Sequence, residues 1–332
     1  MVLCTHNGAE YVGQQVRSIL AQDPQPDELV LGDDASADNT VAIVEDLIAQ
    51  HSAAGGHVEL VVIRHDPALG VVANFADALD RARGDLIALS DQDDVWHVGK
   101  LAAMTAAFDA DPALLLVHTD ARLVDALGTP LGMTVLEALE ITSGERSGLE
   151  RGDAFSTLLR RNLVTGATAV IRRELLSMAA PFPSGWVHDE WLAAVAAAVG
   201  TLRLLPEALI DYRQHGSNQI GARRPGMRER WEKLRETREP RASRMVSRSQ
   251  ELVDALVRLG SKVPAEHLAA ARAALEHERR RRSLPRRRIA RVAPVVAAAA
   301  RGDYGRYSRG GIDVLRDLVQ PAGERSTATL ER

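Results

Sequence analysis

The chain has 332 residues, of which 45% are hydrophobic, 26% are charged and 4% are aromatic, and its formal net charge is −4. This length allows one large domain with an appendage or two ordinary domains. The single cysteine, Cys4, excludes an internal disulfide framework. The apolar runs are too short to span a bilayer and no stretch has the pattern of a signal peptide, so we expect a cytoplasmic protein.

Charge divides the chain into two parts. Residues 1–222 hold 14 Lys and Arg against 31 Asp and Glu, whereas residues 223–332 hold 27 against 14. Such asymmetry indicates two units with different partners. We therefore expect a domain over 1–222 and a basic, helical C-terminal extension over 223–332.

Strand and helix patterns alternate through the first part. Buried-type strands are predicted at 2–4, 28–31, 58–63 and 86–89, with helices between them, the third running from about 71 to 83. Further elements are predicted as a strand at 114–117, a helix near 151–161, a strand at 167–171, an alanine-rich helix ending near 199 and a strand at 202–205. This order predicts an α/β fold with a Rossmann-like, mostly parallel sheet flanked by helices.

Polar side chains follow three of these strands where each strand ends. Thr5 and His6 follow the first, Asp33 and Asp34 the second, and the run Asp91–Asp94 the fourth. The carboxyl ends of parallel strands share one edge of a sheet, where ligands bind. Clustered carboxylates are costly unless a cation neutralises them. Mg²⁺ or Mn²⁺ accepts few protein carboxylates and completes its shell with water and phosphate oxygens, so this edge predicts a metal-bound nucleotide site.

Structural interpretations remain open for both acidic segments. The Asp91–Asp94 run could be a solvated turn or a helix cap. Asp33 and Asp34 could accept hydrogen bonds from a nucleobase or a ribose, or could cap the next helix. A cap needs only one of those two carboxylates.

Two later segments also carry candidate groups. Asp189 opens a helix between Trp186 and Trp191, where aromatic rings could stack on a sugar beside a general base, although an acidic residue there is also an ordinary helix cap. The other segment follows the last predicted strand and offers donors suited to a diphosphate, or else a polar loop that satisfies its own backbone. Its candidate residues are Arg213, His215, Ser217 and Asn218.

Taken in order, six segments resemble the family 2 inverting glycosyltransferases, in particular the bacterial rhamnosyltransferase-like members. The resemblance covers about 1–222. The segments are Cys4-Thr-His-Asn-Gly8, Gly32-Asp-Asp-Ala-Ser-Ala-Asp-Asn-Thr40, Leu69-Gly-Val-Val-Ala-Asn-Phe75, Ser90-Asp-Gln-Asp-Asp-Val-Trp96, His188-Asp-Glu-Trp191 and Tyr212-Arg-Gln-His-Gly-Ser-Asn218.

The resemblance implies a GT-A fold, a UDP- or dTDP-linked sugar donor, and Mg²⁺ or Mn²⁺ as cofactor. It assigns Asp93 as the direct metal ligand and Asp91 as a ribose or outer metal contact. Asp189 would be the catalytic base of a single inverting displacement, with Glu190 as its rival. The remaining assignments are Thr5, His6, Asp33, Asp34 and Asn74 for the donor nucleotide, Arg213, His215 and Asn218 for the diphosphate, and Trp186, Trp191 and Glu190 for the acceptor or sugar.

The expected activity is transfer of a sugar, rhamnose by the resemblance, to a cell-surface glycan or a lipid-linked acceptor. One alternative is a nucleotidyltransferase on a related fold, although Cys4–Gly8 lacks the basic residues of a triphosphate loop. Another is a non-catalytic glycan- or lipid-binding scaffold.

The basic extension suggests peripheral contact with anionic lipid on the inner face of the cell membrane, near Val292, Val295 and Val296. The alternatives are a solvated helical extension or an oligomerisation surface. No recognisable nucleic-acid-binding module is present, so we expect no nucleic-acid partner.

Overall fold

The computed structural model describes residues 1–215 and 236–323, which separate into two units. The first unit contains residues 1–154 and 163–215, and the second contains 155–162 and 236–323. The boundary expected near 222 lies outside the described residues. The short segment 155–162, which the sequence assigned to the first domain, groups with the C-terminal helices.

The first unit begins with four parallel strands in the order β3-β2-β1-β4. Every residue of β1 and β2 is buried, as expected for strands covered on both faces. The parallel pairing brings the ends of β1 and β2 side by side, with Thr5 opposite Asp33. The elements are β1 Val2–Thr5, α1 Val12–Leu20, β2 Glu28–Asp33, α2 Thr40–Ala53, β3 Glu59–Arg64, α3 Val71–Arg81 and β4 Leu86–Ser90.

The sheet then continues through β4-β8-β6-β9-β5, with β7 paired to β6. Antiparallel pairs join β4 to β8, β8 to β6 and β9 to β5, whereas β6 and β9 are parallel, so the whole sheet is mixed. The α/β class is confirmed, but the parallel arrangement holds mainly for its first half. These strands are β5 Val95–Trp96, β6 Leu114–Val124, β7 Pro130–Thr134, β8 Ala169–Arg172 and β9 Thr201–Arg213.

Two predicted boundaries in this region were wrong. Strand β9 was expected to stop at Leu205. The structure instead shifts the β6–β9 register there, so that Asp120 pairs with Ala208 after Thr119 has paired with Leu205, and the strand continues. Of the helix predicted near 151–161, only Phe155–Leu158 forms a helix within that range. Arg151 is instead the last residue of a helix that begins at Ser143 and ends where Gly152 adopts a positive φ of 85°.

The remaining helices of the first unit flank the sheet. A capping box at Thr134 and Glu137 starts α5, and another at Thr142 and Glu145 starts α6. A 3₁₀ turn at Gly166–Thr168 leads into β8. These helices are α4 Lys100–Ala110, α5 Val135–Ala138, α6 Ser143–Arg151, α8 Glu174–Ala179 and α9 His188–Val199.

The second unit is helical throughout its described residues, and its core contains ion pairs. Arg281 is buried and pairs with Glu278 at 2.8 Å and Asp317 at 2.7 Å. Arg291 is fully buried and donates to the carbonyl oxygens of Asp317 and Gln320. The helices are α7 Phe155–Leu158, α10 Arg238–Leu259, α11 Ala265–Ser283, α12 Arg288–Ala300, α13 Asp303–Tyr307 and α14 Gly311–Val319.

Within 1–215 and 236–323, none of the helices combines the length and hydropathy that crossing a bilayer requires.

Candidate functional site

Each aspartate after β2 has its own set of partners. Asp33 accepts hydrogen bonds from Thr5 Oγ1 at 2.8 Å and from the amide and hydroxyl of Ser36 at 3.0 and 2.6 Å. Asp34 accepts from the backbone amides of Leu69 and Gly70 at 2.6 and 2.9 Å. The two carboxylates therefore organise two different loops at the same edge of the sheet, which explains why a single acidic residue would not suffice.

The loop after β1 is tied to the loops after β2 and β4. His6 Nδ1 lies 2.5 Å from the carbonyl oxygen of Asp34, which can only accept, so Nδ1 carries the proton. The backbone amide of His6 donates to Gln92 Oε1 at 2.8 Å, and Gln92 Nε2 donates to the His6 carbonyl oxygen at 3.1 Å. The predicted donor-nucleotide residues of all three loops thus lie together.

Asn74 occupies a different position from its predicted neighbours. It is buried on α3, and its Nδ2 donates to the carbonyl oxygen of Gly32 at 2.8 Å. A Cβ on Gly32 would lie 2.5 Å from Asn74 Oδ1, so the strand and the amide are in close contact. Asn74 therefore supports β2, and its contact with a donor nucleotide stays a prediction.

The run after β4 places three carboxylates in a small volume. Asp93 and Asp94 are buried, and Asp94 Oδ1 accepts from the backbone amide of Arg213 at 3.1 Å. Burial, assisted by the charges of Asp93 and Asp189, raises the pKa of Asp91 to about 7. The negative charge of Asp189 thus reaches Asp91, although the two residues are far apart in sequence.

This cluster fits a divalent cation. Asp94 Oδ2 is buried without a hydrogen-bond partner among the described residues, and burial with neighbouring carboxylates raises the pKa of Asp94. Among residues 1–215 and 236–323, no group of three or more Asp, Glu, His or Cys side chains is arranged so that it alone could hold a metal ion. A hard cation held by one or two carboxylates and substrate oxygens does not need three protein ligands.

Arg213 is part of the scaffold around this cluster. Its guanidinium is buried and donates to the carbonyl oxygens of Asp93 and Ala126 and to Gln14 Oε1, each at 2.8 Å. The predicted diphosphate contact of Arg213 is therefore corrected to a clamp on the acidic loop, because its donors face acceptors of the protein.

His215 also contacts the acidic loop. Its Nε2 lies 2.8 Å from Asp93 Oδ2, and its ring stacks on Tyr11 with centroids 4.8 Å apart. A diphosphate contact by His215 stays a prediction. Asn218, predicted with it, lies outside the described residues, as does Ser217.

Asp189 lies in the first turn of α9 and is oriented by two backbone amides. Gly166 N donates to its Oδ2 at 2.8 Å, and Glu190 N donates to its Oδ1 at 2.7 Å. A Cβ on Gly166 would lie 3.2 Å from both Asp189 Cβ and His188 Nε2, so a glycine permits this close approach. The carboxylate is thus held in one orientation near Asp91.

The two tryptophans around Asp189 differ in exposure. Trp191 is buried, and its Nε1 donates to the carbonyl oxygen of Ala179 at 2.6 Å. A ring in the core has no face for a sugar, so the predicted sugar contact of Trp191 is corrected to packing. Trp186, with its centroid 5.3 Å from that of Trp191, and Glu190 are partly exposed and stay predicted acceptor contacts.

Lys100 is a residue of the site that the sequence analysis missed. It is fully buried, its Nζ donates to the Ala167 carbonyl oxygen at 2.9 Å, and Nζ lies 3.6 Å from the centroid of the Trp96 ring. Burial lowers the pKa of Lys100, and the charges of Asp94 and Asp91 oppose that shift. A lysine at the start of a helix is usually exposed, so no local signal in the sequence distinguishes it.

We expect Lys100→Met to lower the free energy of unfolding by about 1–3 kcal/mol, because a buried carbonyl loses its donor and buried carboxylates lose a countercharge. Urea denaturation measures this loss. Lys262→Met, at an exposed lysine, should change stability by less than about 0.5 kcal/mol. Equal effects of the two substitutions would contradict the structural role.

His188 gives a pH dependence with a defined sign. Its ring stacks on Phe75 at 3.9 Å between centroids, and burial lowers its pKa to about 3. Below pH ~6.5 the unfolded chain binds a proton there that the folded chain excludes, so stability falls as the pH falls. Proton binding to His188 in the unfolded chain should therefore lower the free energy of unfolding by about 2 kcal/mol between pH ~6.5 and ~5. The free energy of unfolding, measured by urea denaturation across that pH range, should depend less on pH in His188→Gln than in the wild type. His57 is exposed, so His57→Gln should keep the pH dependence of the wild type.

Comparison with known proteins shows the family to which the chain belongs. A sequence profile described as "Glycosyl transferase family 2" matches residues 1–177, more than half of the chain. The chain belongs to glycosyl transferase family 2.

Three bacterial proteins illustrate the sequence similarity of this family 2 chain to known relatives. The uncharacterized protein Rv1520 of Mycobacterium tuberculosis is 27% identical over 224 residues, which cover 65% of this chain and 58% of that protein. An uncharacterized glycosyltransferase, alr2836, of Nostoc is 25% identical over 222 residues, covering 66% and 65%. The putative teichuronic acid biosynthesis glycosyltransferase TuaG of Bacillus subtilis is 28% identical over 127 residues, covering 38% and 48%. The match therefore spans little more than half the length of the mycobacterial relative.

Two solved structures share the fold of this family 2 chain. S. aureus TarS 1–349 in complex with UDP-GlcNAc superposes with a TM-score of 0.58 at 16% identity, covering 95% of this chain and 88% of that one. The mannosyltransferase PcManGT from Pyrobaculum calidifontis, in complex with GDP-Man and Mn²⁺, gives 0.52 at 21% identity, covering 90% and 74%. The GT-A architecture expected from the sequence is thereby confirmed.

Proposed function

We propose that this chain is a metal-dependent, inverting glycosyltransferase that moves a sugar from a nucleoside-diphosphate donor to an acceptor hydroxyl. The observation that carries the proposal is the position of Asp189, which accepts a hydrogen bond from Gly166 N at 2.8 Å, next to the Ala167 carbonyl oxygen that binds Lys100 at 2.9 Å. The charges of both Asp189 and Lys100 act on the pKa of Asp91, so the two carboxylates belong to one electrostatic site. Asp33 and Asp34 border the same edge.

The donor side of the proposal rests on the loops after β1, β2 and β4. Asp33 and Asp34 organise these loops through their hydrogen bonds with Thr5, Ser36, Leu69 and Gly70. In the proposal these loops contact the nucleoside, and Asp91 and Asp93 would hold the metal. One solved neighbour is in complex with UDP-GlcNAc and the other with GDP-Man and Mn²⁺, which supports a nucleotide-sugar donor and a divalent ion. Such an ion, when bound, supplies positive charge that stabilises the departing diphosphate.

The acceptor side of the proposal rests on Asp189. As the acceptor oxygen forms its bond to the anomeric carbon, Asp189 takes the hydroxyl proton, and the bond from that carbon to the diphosphate oxygen breaks on the opposite face. One displacement inverts the configuration at the anomeric carbon. The two backbone amides on Asp189 fix the direction in which it accepts that proton.

The proposed acceptor, sugar and carrier nucleotide rest on the name of one relative and on the sequence resemblance. The name of the Bacillus relative supports a cell-wall polymer as the acceptor, and a lipid-linked glycan is the other acceptor that we propose. Rhamnose as the sugar, and dTDP or UDP as the carrier, rest on the sequence resemblance.

Nucleotide binding and turnover test the proposal together. We expect UDP, dTDP or GDP to raise the unfolding temperature in the presence of Mn²⁺ and to do so less without it, because ligands that bind the folded state stabilise it. The corresponding nucleotide sugar should release nucleoside diphosphate. A protein that neither binds these nucleotides nor turns over any of their sugars would contradict the enzymatic function.

A further inference from the structure

Helix α14 in the second unit buries two acidic residues and exposes three aliphatic ones. A helix on a protein surface normally buries its aliphatic residues and exposes its charges. Here Asp313 and Asp317 are buried, whereas Ile312, Leu315 and Val319 are exposed. The buried carboxylates belong to the ion pairs with Arg281. The exposed residues recur at i, i+3 and i+7, so they form one row along the helix.

The neighbouring helix α12 also exposes an apolar row. Arg291 and Val295 point into the unit, where Val295 packs with Leu284 and Tyr304. The sequence analysis had placed Val295 with the surface residues, which is corrected here. The exposed row consists of Ile289, Val292 and Val296, again at i, i+3 and i+7. The helix contains no acidic residue.

The two rows belong to adjacent helices. Val295 of α12 shares a cluster with Val314 and Leu318 of α14. Arg291 of α12 donates to the carbonyl oxygen of Asp317 at 3.0 Å. We call the six exposed aliphatic residues of these helices the apolar rows. Among residues 236–323, nothing covers them.

Exposed arginines flank the apolar row of α12 in the sequence. Residues 284–312 contain seven arginines and one acidic residue, Asp303. Of the seven, Arg291 is buried and the other six are exposed: Arg286, Arg287, Arg288, Arg301, Arg306 and Arg309. Exposed aliphatic rows next to arginines are typical of helices that lie in the interface of an anionic bilayer.

We propose that α12 and α14 form a docking surface for an anionic lipid membrane, with the apolar rows entering the boundary between headgroups and acyl chains. Charge favours this occupant over a second copy of the chain, because a self-contact would bring the same arginines together. The docking surface lies in the second unit and does not depend on the proposed glycosyl transfer, so either proposal can fail alone.

Vesicle sedimentation with the full-length protein tests this docking. We expect binding to vesicles of phosphatidylcholine mixed with phosphatidylglycerol, weak binding to phosphatidylcholine alone, and loss of binding as NaCl is raised. The double substitution Ile289→Asn and Val296→Asn should weaken binding by about tenfold or more, since each residue loses apolar area that would be buried. Replacing Arg287 and Arg288 with Gln should weaken binding to the anionic vesicles by about fivefold for each charge removed.

A matched control separates docking from general surface polarity. Leu127 and Val257 are 90% and 51% exposed, compared with 90% for Ile289 and 55% for Val296. The double variant Leu127→Asn and Val257→Asn should bind vesicles like the wild type, and unfolding temperatures should show that both double variants fold.

Three results would overturn the proposal. They are absence of wild-type binding to anionic vesicles, equal weakening by the control pair, and a concentration-dependent dimer that Ile289→Asn and Val296→Asn convert to a monomer.

Discussion

Replacing Asp189 with Asn should lower kcat by on the order of 10²–10⁴, because the acceptor hydroxyl loses its proton acceptor. The donor KM should change little, since the loops that would hold the nucleotide are organised by Asp33 and Asp34. The measurement is steady-state release of nucleoside diphosphate from the donor that the binding screen identifies, with Mn²⁺ present.

Glu190→Gln is the matched control for this substitution. It removes the same charge one residue further along α9 and leaves both oxygens of Asp189 with their backbone amides. We expect it to retain most of the activity. Loss of turnover in Glu190→Gln with retention in Asp189→Asn would instead assign the base to Glu190, the rival identified from the sequence.

Replacing Asp93 with Asn should abolish the Mn²⁺-dependent part of nucleotide binding. The substitution removes a buried carboxylate that lies 2.8 Å from His215 Nε2 and belongs to the cluster fitted to a cation. For the wild type, a nucleotide at about 100 times its Kd should add about 2.7 kcal/mol to the free energy of unfolding. In the variant, Mn²⁺ should no longer enhance that gain, and turnover should fall by on the order of 10² or more.

Asp109→Asn is the control for the loss of a carboxylate in general. Asp109 lies on α4 and is exposed, so its replacement should leave the Mn²⁺ response and the turnover unchanged. If Asp93→Asn responds to Mn²⁺ and nucleotide like the wild type, the metal site lies elsewhere.

Residues that depend on their immediate neighbours could be predicted from the sequence. The apolar runs at Glu28–Asp33 and Leu86–Ser90 form strands because both faces are buried, and the polar residues after them reach one edge because the strands are parallel. The parallel order of the strands likewise predicted that Asp33, Asp34 and Asp91 lie at the same edge of the sheet. The end of β9 could not be predicted in this way, since a shift in register carries the strand past Leu205 to Arg213.

Residues whose environment is set by distant segments could not be predicted in this way. Trp191, Arg213 and Val295 were expected to be accessible, but each is buried in the folded chain. Lys100 went unnoticed because its acceptor, the Ala167 carbonyl oxygen, is 67 positions away. In each case the pattern around the residue is compatible with either a surface or an interior position.

The run Asp91–Asp94 shows both kinds of information. Its position after a buried strand was sufficient to predict an acidic site at the edge of the sheet, since strand direction and side-chain chemistry follow from adjacent residues. The individual roles depend on partners from elsewhere: Arg213 on Asp94, His215 on Asp93 and the charge of Asp189 on Asp91. Chemistry and order along the chain are local properties, whereas burial and pairing arise only when the chain folds, and they distinguish a metal ligand from a structural carboxylate.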